Sequence, residues 1–145
     1  MTWEVKTDDG GLRDYKNSYS WYEPDASKNG GNAGYKNLGN CKGSQCDTYA
    51  FTNAVNAQGL CGKNDWRMPT IDELKGLLTT QSTINQPLNK LSYIDATYFP
   101  NMNTNWFWSS SPHANVSSYA WGVDFGYGDS SYNSKGSYGF VRMVR

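Results

Sequence analysis

The sequence has few aliphatic residues and no long apolar run. Only 37% of its 145 residues are hydrophobic, whereas 15% are aromatic, so Trp, Tyr and Phe must supply much of the core. Because each aromatic side chain buries a large area, the low hydrophobic fraction does not indicate disorder. No segment approaches the roughly 20 apolar residues that a membrane-spanning helix requires, so we expect no membrane insertion by this domain. The length favours one domain over residues 1–145.

The sequence also lacks a cluster of basic residues. Thirteen Lys and Arg balance thirteen Asp and Glu, which gives a formal net charge of zero. Proteins that bind nucleic acid carry a basic patch or stripe that neutralises phosphates, and no run of Lys or Arg provides one here. The composition therefore predicts no nucleic-acid partner.

Side chains suited to metal binding or nucleophilic catalysis are scarce. His113 is the only histidine, and no cysteine follows Cys61. A structural zinc ion needs four ligands, and serine neighbours alone do not make a catalytic triad. Asp124 and Asp129 have no clear partner for a glycosidase pair or a calcium site. We therefore predict no metal, no cofactor and no enzymatic activity.

Three cysteines, Cys41, Cys46 and Cys61, lie close together in the sequence. In a secreted domain this number suggests one disulfide and one free thiol. If residues 47–58 form a helix, its ends lie about 18 Å apart, whereas bridged Cα atoms lie within about 7 Å. A bond between Cys46 and Cys61 is thus disfavoured, and two pairings of Cys41 stay open, with Cys46 or with Cys61.

A first helix is predicted at residues 47–58. Phe51 and Val55 are four residues apart, Asp47 is a suitable N-cap, and Gly59 stands where a helix ends. A buried stripe containing Phe51 and Val55 should face the core.

A second helix is predicted at residues 71–79. Thr70 and Glu73 form a capping-box motif that marks its start. Leu74 and Leu77 begin an apolar stripe on one face, and we expect both to be buried.

The remaining elements are strands and loops. Strands are predicted at residues 2–6, 105–109, 119–125 and 140–144, while residues 25–40 form a surface loop rather than a linker. The fold class is α+β, with two helices packed on a mostly antiparallel sheet in which the N- and C-terminal strands pair. The predicted strand at residues 119–125 should point three side chains into the core, namely Trp121, Val123 and Phe125.

The last third of the chain, residues 106–145, combines such framework residues with many Tyr, Ser, Gly and Asn. Tyr offers rigid contact area at low entropic cost, and Ser, Gly and Asn adapt their hydrogen bonds, as in antibody-type binding loops. If Trp121 points inward, Gly122, Asp124 and Gly126 face outward. The pattern favours a recognition surface, and the alternative is a Gly/Ser-rich surface meander without a partner.

Two groups of residues admit a functional and a structural interpretation. Four tryptophans form either a sugar-stacking platform or, more in keeping with the shortage of aliphatic residues, part of the core: Trp66, Trp106, Trp108 and Trp121. For three arginines, the functional interpretation is anion binding, and the structural one is pairing with nearby acidic residues or a position at a strand edge: Arg67, Arg142 and Arg145.

Several segments resemble a known family. They are CDTYAFTNAVNAQGLCGKNDWRMPTIDEL, YFPN, FWSSSP, AWGVDF and the terminal VRMVR, of which WRMPT followed by EL is the most specific. Together they resemble the bacterial Lcl-type C-terminal domain family, which is related to the C-type lectin fold in the variant also found in formylglycine-generating enzyme. The resemblance covers most of the chain and implies a single C-type-lectin-like ligand-binding domain.

The resemblance implies a receptor- or adhesin-type binding module. Related domains include the variable proteins of diversity-generating retroelements, in which adenine-directed changes diversify a C-terminal segment, here about 105–140. Many residues in this segment are of types that an Asn codon encodes when its adenines are replaced or left unchanged. We predict that sixteen of these residues bind the ligand: His113, Asn115, Ser117, Ser118, Gly122, Asp124, Gly126, Tyr127, Asp129, Ser130, Ser131, Tyr132, Asn133, Ser134, Ser137 and Tyr138.

The partner expected from this resemblance is an unknown protein or other macromolecule. The alternative is a carbohydrate- or glycosaminoglycan-binding adhesin domain, although Lys135 is the only basic residue from Trp106 to Tyr138, which suits a sulfated polymer poorly. An enzyme of the formylglycine-generating type would need C-terminal cysteines that this sequence lacks. The resemblance further implies a secreted or cell-surface location, as part of a longer exported protein.

Overall fold

A computed structural model describes all 145 residues, and its first helix, α1, spans Thr48–Gln58. The Asp47 carboxylate accepts a hydrogen bond from the Ala50 amide at 2.7 Å, which satisfies a free amide of the first turn. The helix stops at Gly59, whose φ of 66° is a left-handed conformation. Phe51 and Val55 are buried, so both the helix and its inward face are as predicted.

The second helix, α2, spans Ile71–Lys75 and is shorter than the predicted 71–79. The capping box is present, since the Thr70 hydroxyl accepts from the Glu73 amide and the Glu73 carboxylate accepts from the Thr70 amide. Gly76 ends the helix, and the next two residues form only turn-type bonds back to Leu74 and Lys75. The expectation that Leu77 is buried is wrong: it lies beyond the helix and is only partly buried, whereas Leu74 is fully buried.

The main sheet has three antiparallel strands in the order β3-β4-β5, with β3 at Trp106–Pro112, β4 at Tyr119–Asp124 and β5 at Asp129–Ser134. A separate hairpin pairs β1 (Thr83–Asn85) with β2 (Lys90–Ser92). On the side of β3 away from β4, Phe107 makes an isolated parallel bridge with Phe140. The strand β4 is therefore central, and β5 is the outer strand.

The chain termini pair with each other in antiparallel fashion, as predicted. The Thr2 amide donates to the Arg145 carbonyl at 2.7 Å, and the Arg145 amide donates back to Thr2 at 2.9 Å. Trp3 and Val144 form an isolated bridge between these bonds. The predicted regular strands at residues 2–6 and 140–144 do not form, and the pairing there consists of isolated bridges from Val144 to Trp3 and to Arg67.

Two hydrophobic clusters fill the interior, and β3 contributes to both. Trp108 belongs to the first cluster together with Phe51 and Val55 of α1. Phe107 belongs to the second cluster together with Leu74 and Val123. Successive strand residues point to opposite faces, so β3 is covered on both sides.

Cys41 and Cys46 are joined by a disulfide with Cα atoms 5.6 Å apart, which selects one of the two pairings left open by the sequence. Cys61 is free and exposed, in a short 3-10 turn that follows α1. The loop at 25–40 folds back onto the domain, since Gly34 bridges Tyr22 and Asn40 bridges Ser18. None of the helices has the length and apolar character needed to span a membrane.

Candidate functional site

The strands β4 and β5 form a hairpin whose turn is shaped by Asp124. One Asp124 carboxylate oxygen accepts from the amides of Gly126 at 2.8 Å and Tyr127 at 3.1 Å. The Gly128 amide closes the turn on the Asp124 carbonyl, and Gly128 takes the left-handed φ of 81° that such a turn requires. Asp124 thus positions Tyr127, whose side chain is 82% exposed at the tip.

Three side chains on one face of this hairpin and the ring of His113, which follows β3, form an aromatic cluster, defined as His113, Tyr119, Trp121 and Tyr132. The His113 ring stacks on Trp121 with centroids 5.3 Å apart and meets Tyr132 edge-on at 4.6 Å. Tyr132 also contacts Trp121 at 5.2 Å and stacks with Tyr119 at 5.7 Å. None of these rings belongs to either hydrophobic cluster. The aromatic cluster is a contiguous, partly exposed surface.

The prediction that Trp121 is buried is wrong, and its neighbours on the strand explain why. Val123 lies on the same face, two residues along, and packs in the second hydrophobic cluster with Phe125. That cluster does not extend to Trp121, which is partly exposed and pairs with Tyr132 of the outer strand. Trp121 is therefore part of the surface rather than part of its buried scaffold.

His113 shapes the loop that borders the aromatic cluster. Its Nδ1 atom accepts hydrogen bonds from the amides of Asn115 at 3.2 Å and Val116 at 3.1 Å. Its own amide donates to the Tyr119 carbonyl at 2.9 Å. Because Nδ1 is an acceptor here, a neutral imidazole carries its proton on Nε2. The histidine therefore both lines the surface and folds the loop at 113–118.

Gly122 is buried, which corrects its assignment to the exposed surface. A Cβ atom added at this position would lie 2.3 Å from the Phe107 carbonyl oxygen and 2.6 Å from the Trp106 ring. Gly122 lies on the face of β4 that also carries Ala120 of the first hydrophobic cluster, and Trp106 of the neighbouring strand covers this face at Gly122. Gly122 has no room for a side chain and cannot contact a ligand through one.

The outer strand β5 carries predicted residues on both of its faces rather than on one. Tyr132 lies on the face of the aromatic cluster, and alternation places Ser130 and Ser134 beside it. Ser131 and Asn133 point to the opposite face, where the Asn133 amide oxygen accepts a hydrogen bond from the Ser137 hydroxyl at 3.3 Å. The expected single patch is thus divided between two faces that meet at the free edge of β5.

The other predicted residues are distributed by exposure as follows. Eight are exposed: Asn115, Ser117, Tyr127, Asp129, Ser131, Tyr132, Asn133 and Tyr138. Seven are partly buried: His113, Ser118, Asp124, Gly126, Ser130, Ser134 and Ser137. All of the predicted residues except Gly122 therefore reach solvent at least in part.

Tyr138 lies apart from the aromatic cluster, beside a shallow hollow. The hollow, of about 410 Å³, is lined by Leu38, Gly136, Ser137 and Tyr138. Tyr138 is 66% exposed, and Leu38 comes from the loop at 25–40. The predicted segment therefore meets the N-terminal half of the chain at this point.

Sequence reasoning missed Lys135, which is fully buried beside the surface. Its ammonium group donates to the carbonyl oxygens of Asn29 at 2.9 Å, Asn32 at 2.7 Å and Ser117 at 2.6 Å. It also lies 4.3 Å from the centroid of the Trp21 ring. Burial lowers the pKa of Lys135 to about 8. The one available signal was that Lys135 is the only basic residue in a segment of Ser, Gly and Tyr.

A cleft beside α1 is the second feature that the sequence did not reveal. It measures about 420 Å³, and residues from α1, from the segment at 21–28 and from the start of α2 surround it. Tyr22 and Tyr49 meet edge-on there with ring centroids 5.9 Å apart. Arg67 at its rim makes two 2.8 Å hydrogen bonds to Glu73 and thereby lowers the pKa of that carboxyl to about 2. The arginine is thus already paired, one of the outcomes expected from the sequence.

These observations define an α+β domain that presents aromatic side chains on the outer hairpin of an antiparallel sheet. The family model of the Lcl C-terminal domain matches residues 1–145, and the chain therefore belongs to the Lcl C-terminal domain family. No curated protein and no solved structure matches the chain.

Proposed function

We propose that this domain is a ligand-binding module of receptor or adhesin type, and that its C-terminal segment forms a variable recognition surface. The proposal includes a C-type-lectin-like fold in the formylglycine-generating-enzyme variant, a secreted or cell-surface location, and no enzymatic activity. It further assigns the diversification of the segment to a diversity-generating retroelement.

The aromatic cluster is the observation that carries the proposal. Trp121 and Tyr132 are neighbours across two paired strands, so their backbone is held by the sheet. Their rings contact each other and His113, but belong to neither hydrophobic cluster. Rigid, partly exposed aromatic side chains surrounded by Ser and Asn are typical of protein-binding surfaces. A protein or other macromolecule is therefore the favoured ligand.

A neutral carbohydrate is the second candidate ligand, and the stacked rings of the aromatic cluster favour it, because flat aromatic faces suit the apolar faces of sugars. A sulfated glycosaminoglycan is less suitable at this surface. The only ammonium group in the segment, that of Lys135, is buried and bonded to three carbonyl groups. No other Lys or Arg from Trp106 to Tyr138 offers a sulfate group a counter-charge.

An array binding experiment tests the proposed function. The purified domain is applied to an array that contains neutral glycans, heparin and purified extracellular proteins, beside the double variant Trp121→Ala/Tyr132→Ala. We expect wild-type binding to a protein or a neutral glycan, loss of that signal in the double variant, and no preference for heparin. No binding on any part of the array, or equal binding by both forms, would contradict the proposal.

The retroelement origin has a separate test in the genomic DNA around the coding sequence. The proposal predicts a near-copy of the 3′ end of the gene that differs only at adenines, next to a gene for a reverse transcriptase. If the genomic DNA contains neither the near-copy nor the reverse transcriptase gene, the proposed diversification is wrong, and the domain is a binding domain of fixed sequence.

A further inference from the structure

Lys135 occupies a position where three separate parts of the chain meet. Its amide donates to the Ser118 carbonyl at 2.9 Å, and its carbonyl accepts from the Trp21 amide at 2.9 Å. These two backbone bonds hold the residue at the end of β5 whatever its side chain. The side chain then extends between the loop at 113–118, which borders the aromatic cluster, and the first part of the loop at 25–40, called here the loop at 25–34.

All three hydrogen-bond donors of the Lys135 ammonium group have an acceptor. A lysine ammonium has three donors, and here each finds a backbone carbonyl: Asn29 and Asn32 on one loop and Ser117 on the other. The fourth neighbour is the Trp21 ring, whose π face attracts the positive charge. No carboxylate is among these contacts, so the charge is stabilised by peptide dipoles that belong to two different loops.

The two loops also touch directly beside the aromatic cluster. A Cβ atom placed on Gly30 would lie 3.0 Å from the Pro112 ring, so the loop at 25–34 packs against the end of β3 next to His113. Within each loop, one side chain holds the backbone: the Asn29 amide oxygen accepts from the Gly31 amide at 2.9 Å, and His113 Nδ1 accepts from the amides of Asn115 and Val116. Lys135 is the side chain that joins the two units.

We propose that Lys135 is the positioning residue of the recognition surface, and that its ammonium group makes the loops at 25–34 and 113–118 move as one unit. This inference rests on the proposed function only in treating the surface as a binding site. It extends that surface to the loop at 25–34, which lies outside the segment predicted from the sequence, and it requires lysine at position 135 in any variant that keeps the shape of the surface.

The test compares Lys135→Met with wild type, because methionine has similar length but donates no hydrogen bond. Lys28→Met is the matched control, since Lys28 lies in the same loop, is exposed, and has only a 3.8 Å ion pair with Asp25. Hydrogen exchange is measured by NMR, and the single histidine gives a separate signal through its ring nitrogen shifts.

In Lys135→Met we expect amide exchange to rise about tenfold or more in both loops together, since hydrogen bonds to a charged group are lost from each. Exchange at Phe51–Val55 in α1 should stay at the wild-type rate. The folded-state His113 Nδ1 signal should move towards the shift of a tautomer mixture, because the loop amides no longer hold Nδ1 as an acceptor. A general loss of stability would instead add a separate unfolded-state signal and leave the folded-state shift unchanged. Lys28→Met should leave all three readouts unchanged.

Faster exchange in only one loop, in neither loop, or equally throughout α1 would overturn the proposal. If Lys135→Met does not fold, the wild-type protein still provides the test. Scalar couplings across hydrogen bonds from the Lys135 Nζ to the carbonyl groups of Asn29, Asn32 and Ser117 support the joint unit, and their absence refutes it. None of these measurements needs the ligand, so their failure leaves the array result for the proposed function standing, and the reverse also holds.

Discussion

The strands β3 and β5 flank the same central strand, yet they differ in almost every other respect. In β3, Phe107, Trp108 and Ser109 are buried, and the strand is bonded on both sides through β4 and Phe140. In β5, no residue is buried, and only one side is paired. The comparison separates a strand that stabilises the fold from a strand that offers its side chains to solvent.

Two tryptophans show what this difference teaches about aromatic residues. Trp108 of β3 is fully buried, and its indole N–H donates to the Tyr19 carbonyl at 2.9 Å. Trp121 of β4 is partly exposed and contacts His113 and Tyr132 of the aromatic cluster. In a chain so rich in aromatic residues, the same residue type serves the core in one strand and the surface in the next.

The largest effect that we predict is that of Trp108→Ala. Removal of a large buried side chain leaves a cavity in the first hydrophobic cluster, and the free energy of unfolding should fall by about 3–5 kcal/mol. Trp121→Ala should cost about 1 kcal/mol or less, as for cross-strand pairs on a sheet surface. Denaturant titration of both variants measures the difference. Equal losses would contradict the distinction between the two tryptophans.

Gly122→Ala should give the next largest effect. The added methyl group has no space against Trp106 and the Phe107 carbonyl, and such overpacking costs about 1–3 kcal/mol. Ser131 pairs with Gly122 across the strands and is exposed, so Ser131→Ala is the matched control. The two melting temperatures should differ clearly. If Gly122→Ala has the same melting temperature as wild type, position 122 has room for a side chain, and the exposed surface includes it as the sequence predicts.

Local sequence signals were enough to predict the helix starts and the inward stripe of α1. Asp47 and Thr70 are caps whose hydrogen-bond partners lie within three residues, so the local sequence contains both partners of each bond. The end of α2 differs from the prediction because Gly76, a poor helix former, ends the helix before the leucines that follow. The pairing of Val144 with Trp3 and with Arg67 joins residues far apart in sequence, so local signals could not show that it stops at isolated bridges.

A smaller effect is predicted for Thr70→Ala, which lies in neither strand and so provides a reference for the comparison. The Thr70 hydroxyl accepts from the Glu73 amide at 3.2 Å, and loss of this cap should lower the free energy of unfolding by about 1 kcal/mol. Thr70→Ser keeps the hydroxyl and should retain most of the stability. A denaturation midpoint that is the same for Thr70→Ala and wild type would mean that the cap contributes nothing.

The smallest effects should come from the outer hairpin. Tyr127 is 82% exposed, and Tyr127→Ala should change the free energy of unfolding by no more than about 0.5 kcal/mol. Tyr132→Ala also loses contacts within the aromatic cluster and should cost up to about 1 kcal/mol. Thermal melts of both variants provide the measurement. Losses of several kcal/mol would show that these tyrosines are structural.

The composition of the candidate site was easier to predict than its geometry. The Tyr, Ser and Asn residues from His113 to Tyr138 reach solvent at least in part, as expected for residue types that are seldom fully buried. Alternation alone could not show that Trp106 covers Gly122, or that the second hydrophobic cluster stops before Trp121. The role of Lys135 depends on carbonyl groups more than 100 residues away, at Asn29 and Asn32.

The most direct test of a recognition surface on the outer hairpin is the affinity of the ligand found on the array for Trp121→Ala/Tyr132→Ala. Tyr98→Ala is the control, because Tyr98 is 73% exposed but lies outside the aromatic cluster. We predict that the double variant binds at least about thirtyfold more weakly while Tyr98→Ala binds like wild type, since central aromatic residues dominate binding energy. Unchanged affinity in a folded double variant would contradict a binding role for this surface.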